Sequence, residues 1–110
     1  MAKLATALFF IVSLLAGCSD SSLYYWGDYD DQIHAYYENK PPSELIEAME
    51  KIRGRSQDQD KPLPPTFYAH LGLLYQKTGQ TQKFKDLVRE EKANYPESAA
   101  FADFLLKRGG

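Results

Sequence analysis

From residue 28 onward, apolar side chains recur at helical spacing. Tyr29, Ile33, Tyr36 and Tyr37 fall at i, i+4, i+7 and i+8, which predicts a helix over residues 28–39. Pro41-Pro42 stop it, and Ser43 is a suitable N-cap for a second helix. The buried face of that helix is Leu45, Met49 and Ile52, with Ile46 beside them. Gly54 to Pro65 is polar and then proline-rich, a surface connection into whose first residues the second helix can extend. A third helix over 66–78 buries Tyr68, Leu71, Gly72 and Tyr75, and Gly79 ends it. A fourth over 81–94 turns Phe84, Leu87 and Val88 inward and closes at Pro96. The last, 98–107, offers Phe101, Phe104 and Leu105 to the core. No stretch alternates at period two long enough for a strand. The expected fold is all-α, built of short antiparallel helical hairpins.

The amino terminus follows a different pattern. After Met1-Ala2-Lys3, the 14 residues Leu4 to Gly17 carry no charge. That is too short for a bilayer span, which needs roughly 20 residues. It suits the apolar region of a signal peptide. The run ends in Leu15-Ala16-Gly17-Cys18, which resembles the lipobox of bacterial lipoproteins. Small residues there admit the peptidase to the backbone, and the Cys18 thiol accepts the diacylglyceryl group. The expected organisation is a signal peptide at 1–17 that is removed, the lipidated Cys18 with a short tether at 18–23, and a helical domain at 24–108. Stable anchoring takes about two acyl chains or more, which a fully processed lipoprotein carries as palmitate-type groups. Ser19 rather than Asp after the cysteine favours the periplasmic face of the outer membrane over the inner membrane, although Asp20 follows directly.

Composition narrows the partners. Removing residues 1–17 from the 110-residue chain takes away one charged residue, Lys3, and moves the net charge from −2 to −3. This is not the basic footprint of a nucleic-acid binder. One cysteine rules out an internal disulfide and any Cys-rich metal site. Stability must come from packing, with aromatic residues at 14 % as its main material.

Tyr68, Leu71, Gly72, Tyr75, Gly79 and Pro96 stand at the spacings of a tetratricopeptide unit, and this hairpin resembles one. Gly72 would admit the second helix closely while the aromatics fill the wedge. Phe84 and Glu91 depart from the pattern, occupying positions where that motif has small alanines, and imply a somewhat wider helix separation. Gly27 to Ile33 resembles the turn of a second unit, but Gly27 and Gly79 do not lie one 34-residue period apart. One tetratricopeptide-like repeat is expected, without a regular array.

Three segments together resemble a specific family. They are Tyr25-Trp26-Gly27 with its Tyr-rich helix, Pro64 to Tyr75 around His70-Leu71-Gly72, and Glu91 to Lys107 around Tyr95-Pro96-Glu97-Ser98. They are similar to a family of small proteobacterial lipoproteins known as a domain of unknown function. Its members are typically encoded beside a lipoprotein resembling the curli secretion pore and another small lipoprotein. The resemblance implies a place in an envelope lipoprotein assembly and carries over no catalytic residue.

The residues themselves offer little chemistry. His34 and His70 are the only histidines, without the His-x-x-x-His or Cys pair that a zinc site uses. His34 can share a helix face with Asp30 or Asp31 as a solvated group, and His70 lies beside the Leu71-Gly72 contact as a candidate for partner contact. No nucleophile elbow or phosphate-cradling glycine loop occurs. Glu47 and Glu50, or Glu90 and Glu91, sit among Lys and Arg on helices, and Glu47 with Lys51 is an i, i+4 surface pair. Neither catalysis, nor a cofactor, nor a metal, nor a small-molecule substrate is expected.

The aromatic cluster Tyr24, Tyr25, Trp26, Tyr29, Tyr36 and Tyr37 exceeds what one amphipathic helix buries. Part can cap the bundle and part can form a binding surface, since Tyr and Trp are favoured at interfaces. Taken with what the resemblance implies, the expectation is a membrane-anchored, non-catalytic interaction module, docking on a neighbouring curli-pore-like lipoprotein through a helical groove and this cluster, with His70 a further candidate contact. The alternative is a peptidoglycan-binding factor or activator of a cell-wall enzyme.

Overall fold

The computed structural model describes residues 23–109, and among these there is no strand. Five α-helices follow one another: α1 Tyr29–Tyr37, α2 Pro42–Asp58, α3 Phe67–Lys77, α4 Thr81–Asn94 and α5 Ala99–Gly109. A 3-10 turn, Pro96–Ser98, leads into α5. The signal peptide, Leu15, Ala16, Gly17 and Cys18 lie outside the described residues.

The first three helices end alike. Asn39, Asp60 and Gly79 each adopt positive φ, at 62°, 50° and 82°. In each case the next residue's N–H bonds back five residues along the chain: Lys40 to Ala35, Lys61 to Ser56, Gln80 to Tyr75. The left-handed residue's own N–H reaches Tyr36, Gln57 or Gln76. These are Schellman caps, which satisfy carbonyls that a helix end leaves orphaned. The stop expected at Gly79 is in place. Two equivalent stops carry Asn and Asp, both tolerant of this conformation.

Two boundaries differ from the sequence expectation. Pro42 opens α2 with Pro41 at the cap position, so Ser43 lies inside the first turn and is not the N-cap. Proline fits the first helical position because its fixed φ is already helical and its missing N–H would be unpaired there. At the other end, α2 runs through Gly54 to Asp58, leaving 59–66 as the connection. The Gly54 surroundings are open, and the Ser56 hydroxyl donates to the Lys61 carbonyl, closing the helix end.

α3 lies at the centre, with Phe67, Ala69, Leu71, Gly72, Leu74 and Tyr75 all buried. One side joins Tyr29, Ala35, Leu45, Met49, Ile52 and Leu63 in the larger core, to which Leu87 also belongs. Tyr68, expected inside, is half-buried, and Phe67 takes the fully buried place. α3 and α4 run antiparallel: Ala69 meets Glu91, Gly72 meets Leu87 and Val88, and Tyr75 meets Lys83. A Cβ on Gly72 would stand 3.2 Å from the Phe84 carbonyl and 3.3 Å from Leu87 Cβ. The wider separation expected from Phe84 is thus not seen here. Its ring fills a second, smaller core with Val88 and Ala102, flanked by Leu73, Leu105 and Leu106.

α5 corrects the sequence reading most clearly. Phe101 and Phe104 were expected inside but are 44 % and 52 % exposed, while Ala102 is fully buried. The cause is the close seating of α5 on Phe84. Ala102 packs in that core, and a Cβ on Gly109 would meet the Phe84 ring at 2.6 Å. Ala102 and Gly109 are seven residues apart and share one face, so the small residues face inward and the phenylalanines outward.

Candidate functional site

α1 and α3 meet through long side chains. From α1 come Tyr29, Ile33 and Tyr36 at i, i+4 and i+7, and from α3 come His70 and Leu73, three residues apart. With Tyr37 and Thr66 these residues line a pocket of about 280 Å³. Tyr29 is nearly fully buried and forms the floor, its ring centroid 5.1 Å from Phe67. Tyr36 stands edge-on to His70 at 5.4 Å. The Lys77 ammonium donates to Tyr36 Oη at 2.7 Å and lies 4.3 Å from its ring centre. Tyr37 is 77 % exposed and packs edge-on to Tyr36 at 5.5 Å, so it does not join the buried stripe predicted for it. A short helix cannot turn four large side chains into one core, and the last of the four is left at the pocket rim.

His70 carries the pocket's polarity. Its Nδ1 lies 3.5 Å from Tyr29 Oη, and its Nε2 is buried without a hydrogen-bond partner. Burial first, and then the Lys77 charge, hold its pKa below the ordinary histidine value. The imidazole is therefore neutral at pH 7, able to offer one donor and one acceptor. Burial likewise raises the Tyr29 phenol. The pocket is apolar and aromatic, with hydroxyls and one neutral imidazole at its edges. It can enclose an apolar or aromatic side chain and hydrogen-bond to it, the usual composition of a recognition site.

The seven aromatic and histidine positions singled out from the sequence divide in two. Tyr29, Tyr36, Tyr37 and His70 line the pocket, and Trp26 lies against Tyr29 with ring centroids 6.0 Å apart. Tyr24 and Tyr25 go elsewhere. Tyr24 meets Tyr95 edge-on at 6.1 Å, and Tyr25 packs on the larger core while its N–H bonds the Pro62 carbonyl at 2.7 Å. They tie the chain's entry to the 59–66 connection and to the end of α4. His34 is exposed on α1.

Two features escaped the sequence reading. Glu91 is fully buried, its Oε1 accepting from the Ala69 N–H at 3.3 Å and its Oε2 3.5 Å from Ser98 Oγ. Its position had a signal: it continues the Phe84, Leu87, Val88 stripe at helical spacing. The second feature is a cleft of about 400 Å³ lined by Glu50, Arg53, Tyr75, Lys83, Asp86 and Glu90. Arg53 reaches both Glu90 oxygens, at 3.1 and 3.3 Å, and Glu50 at 3.6 Å, while the Tyr75 hydroxyl donates to Glu50 at 2.9 Å. These groups tie α2, α3 and α4 together across the cleft. Nothing in the spacing of Arg53 and Glu90 announces their meeting. The i, i+4 pair Glu47–Lys51 forms as expected, at 3.7 Å.

A family model described as Domain of unknown function (DUF4810) matches residues 23–105. The chain belongs to that family. The DUF4810 match begins just before the aromatic cluster, takes in His70 and Glu91, and ends within α5. No curated protein and no solved structure matches significantly. Among the described residues no helix is long and apolar enough to cross a membrane, and no three potential metal ligands converge.

Proposed function

We propose that this DUF4810 chain is a lipid-anchored, non-catalytic docking module of the bacterial envelope, held by Cys18 and binding a neighbouring lipoprotein of the curli-pore-like kind. The α3–α4 hairpin is read as its tetratricopeptide-like core and the periplasmic face of the outer membrane as its location. The observation that carries the reading is the aromatic pocket between α1 and α3, with Tyr37 displayed at its rim and Trp26 alongside. Aromatic side chains that remain accessible around a concave apolar floor are the usual anchors of a protein interface. The pattern from Lys3 to Cys18 supports the anchor, which acyl groups on Cys18 would supply.

The test is recovery of the intact lipoprotein from membranes after mild cross-linking. The pore-like neighbour should co-purify, and Trp26→Ala combined with Tyr37→Ala should reduce its recovery. Loss of the neighbour from the wild-type sample would overturn the reading. Co-sedimentation of the protein with purified sacculi would point to peptidoglycan instead. Cys18→Ala should abolish metabolic labelling by fatty acid, and a labelled Cys18→Ala protein would remove the anchor from the reading.

A further inference from the structure

Among the described residues, nothing covers one face of α5. Ala100, Phe101, Phe104, Lys107 and Arg108 are exposed along it. Phe101, Phe104 and Arg108 form one stripe at i, i+3 and i+7. The Arg108 guanidinium sits 5.2 Å from the Phe104 ring centre. The one exposed acid of the helix, Asp103, is held by Lys92 at 2.8 Å, which leaves the two cations of the last turn as its outward charge.

The number of residues between Cys18 and the described chain argues for one occupant. Tyr24 stands on Tyr95, the residue directly before the turn that leads into α5. Cys18 precedes Tyr24 by six residues, a reach of at most roughly 20 Å for extended chain. Phe104 lies about 8 Å along the axis from the start of α5 at the rise of an α-helix. Leu23, at the tether's end, is 79 % exposed. The tether of an anchored chain is therefore short enough for the exposed phenylalanines and two cations of α5 to touch the bilayer.

We propose that α5 rests on the phospholipid surface that holds Cys18, seating Phe101 and Phe104 at the headgroup boundary while Lys107 and Arg108 meet anionic headgroups. The inference rests on the reading of Cys18 as the anchor. Aromatics beside Lys and Arg are the composition of helices that lie in a membrane interface. Two phenylalanines would hold a free protein weakly, but tethering makes the contact intramolecular and raises its effective concentration. The domain is thereby oriented on the membrane rather than turning freely on its tether.

The experiment uses the protein isolated from membranes, with its mass read first for an acyl group on Cys18. It is then reconstituted in vesicles of phosphatidylethanolamine and phosphatidylglycerol. If the mass shows no acyl group, the anchor reading fails on its own, and the free Cys18 thiol is coupled to a maleimide lipid so that α5 is still tested. In a Trp26→Phe background, Phe104→Trp places a reporter on the face and Glu47→Trp places one on exposed α2. Brominated lipids should quench the reporter at 104 by about twofold, with weaker quenching on phosphatidylcholine and little at position 47. Equal quenching at the two positions, or none at 104, overturns the proposal. Equal quenching of 104 on neutral and anionic vesicles overturns the part given to Lys107 and Arg108. A blue shift at 104 that follows protein density but ignores bromine shows a second copy on the face, and also overturns it.

Discussion

Glu91 Oε1 accepts a hydrogen bond at 3.3 Å from the backbone N–H of Ala69, so a fully buried carboxylate on α4 closes the first turn of α3. α3 has no side-chain cap of its own, since Thr66 at the cap position holds φ 76°. Glu91 also stands at the positive end of the α3 dipole. Glu91→Ala leaves a buried donor without a partner and should cost about 1–3 kcal/mol. Glu91→Gln keeps an acceptor of the same shape and should cost less. Urea unfolding of the three proteins decides it, and equal stability of wild type and Glu91→Ala would refute the capping role.

Two helical glycines should respond with opposite signs. At Gly72 a methyl group would press on the Phe84 carbonyl and Leu87 Cβ, a backbone atom and the root of a side chain, which have little freedom to move. Gly72→Ala should destabilise by about 1 kcal/mol, because overpacking outweighs the gain in helix propensity. At Gly54, inside α2, nothing lies within 4 Å. Gly54→Ala should stabilise by up to about 1 kcal/mol. Thermal or urea midpoints moving the same way in both variants would contradict this.

The aromatic pocket separates packing from recognition. Tyr29 is 3 % exposed and contacts Phe67, so Tyr29→Ala should cost about 3 kcal/mol or more. Tyr37→Ala, at the exposed rim, should leave the unfolding midpoint within about 0.5 kcal/mol of wild type and still weaken partner recovery. A large stability loss in Tyr37→Ala would mean that the residue is structural.

The pH dependence follows from His70, Tyr75 and Tyr95. His70 has a lowered pKa in the folded state, from burial first and the Lys77 charge second. Its contribution is present above the unfolded value near 6.5 and is lost as pH falls through the folded value. Stability should decline on acidification below about pH 6.5, and His70→Phe should flatten that decline. Unchanged slopes in the variant would exclude His70 as the cause.

At the alkaline end, burial pushes Tyr75 and Tyr95 up to about 12, with Glu50 adding to the effect on Tyr75. Their contribution is complete below the unfolded value near 10 and is lost as pH rises towards 12. Phenolate absorbance should show Tyr75 and Tyr95 among the late-ionising tyrosines, beside the Tyr29 and Tyr68 phenols that burial also raises, and Tyr75→Phe should remove one late step.

The helices were legible because their signals are local. The apolar stripe of α2, the stop at Gly79 and the bounds of α4 each depend on neighbours within a few residues. His70 and three tyrosines of the pocket were also picked out, as exposed-prone aromatics and a polar residue at a helix contact. Their assembly was not, because Tyr24 and Tyr25 share the same sequence pattern yet pack against Tyr95 and the larger core.

The sequence by itself determined an all-helical chain with one tight glycine contact, a Tyr-rich first helix and an amino-terminal pattern ending at Cys18. Only the tertiary structure decided which faces are free. Periodicity marks a residue as apolar, but not which neighbour sets the helix rotation. For α5 that neighbour is the Phe84 ring, which admits only Ala102 and Gly109 and so turns Phe101 and Phe104 outward. For Glu91 it is the amino-terminal turn of α3, whose Ala69 N–H has no acceptor within its own helix and so makes a polar residue the right occupant of an otherwise apolar stripe.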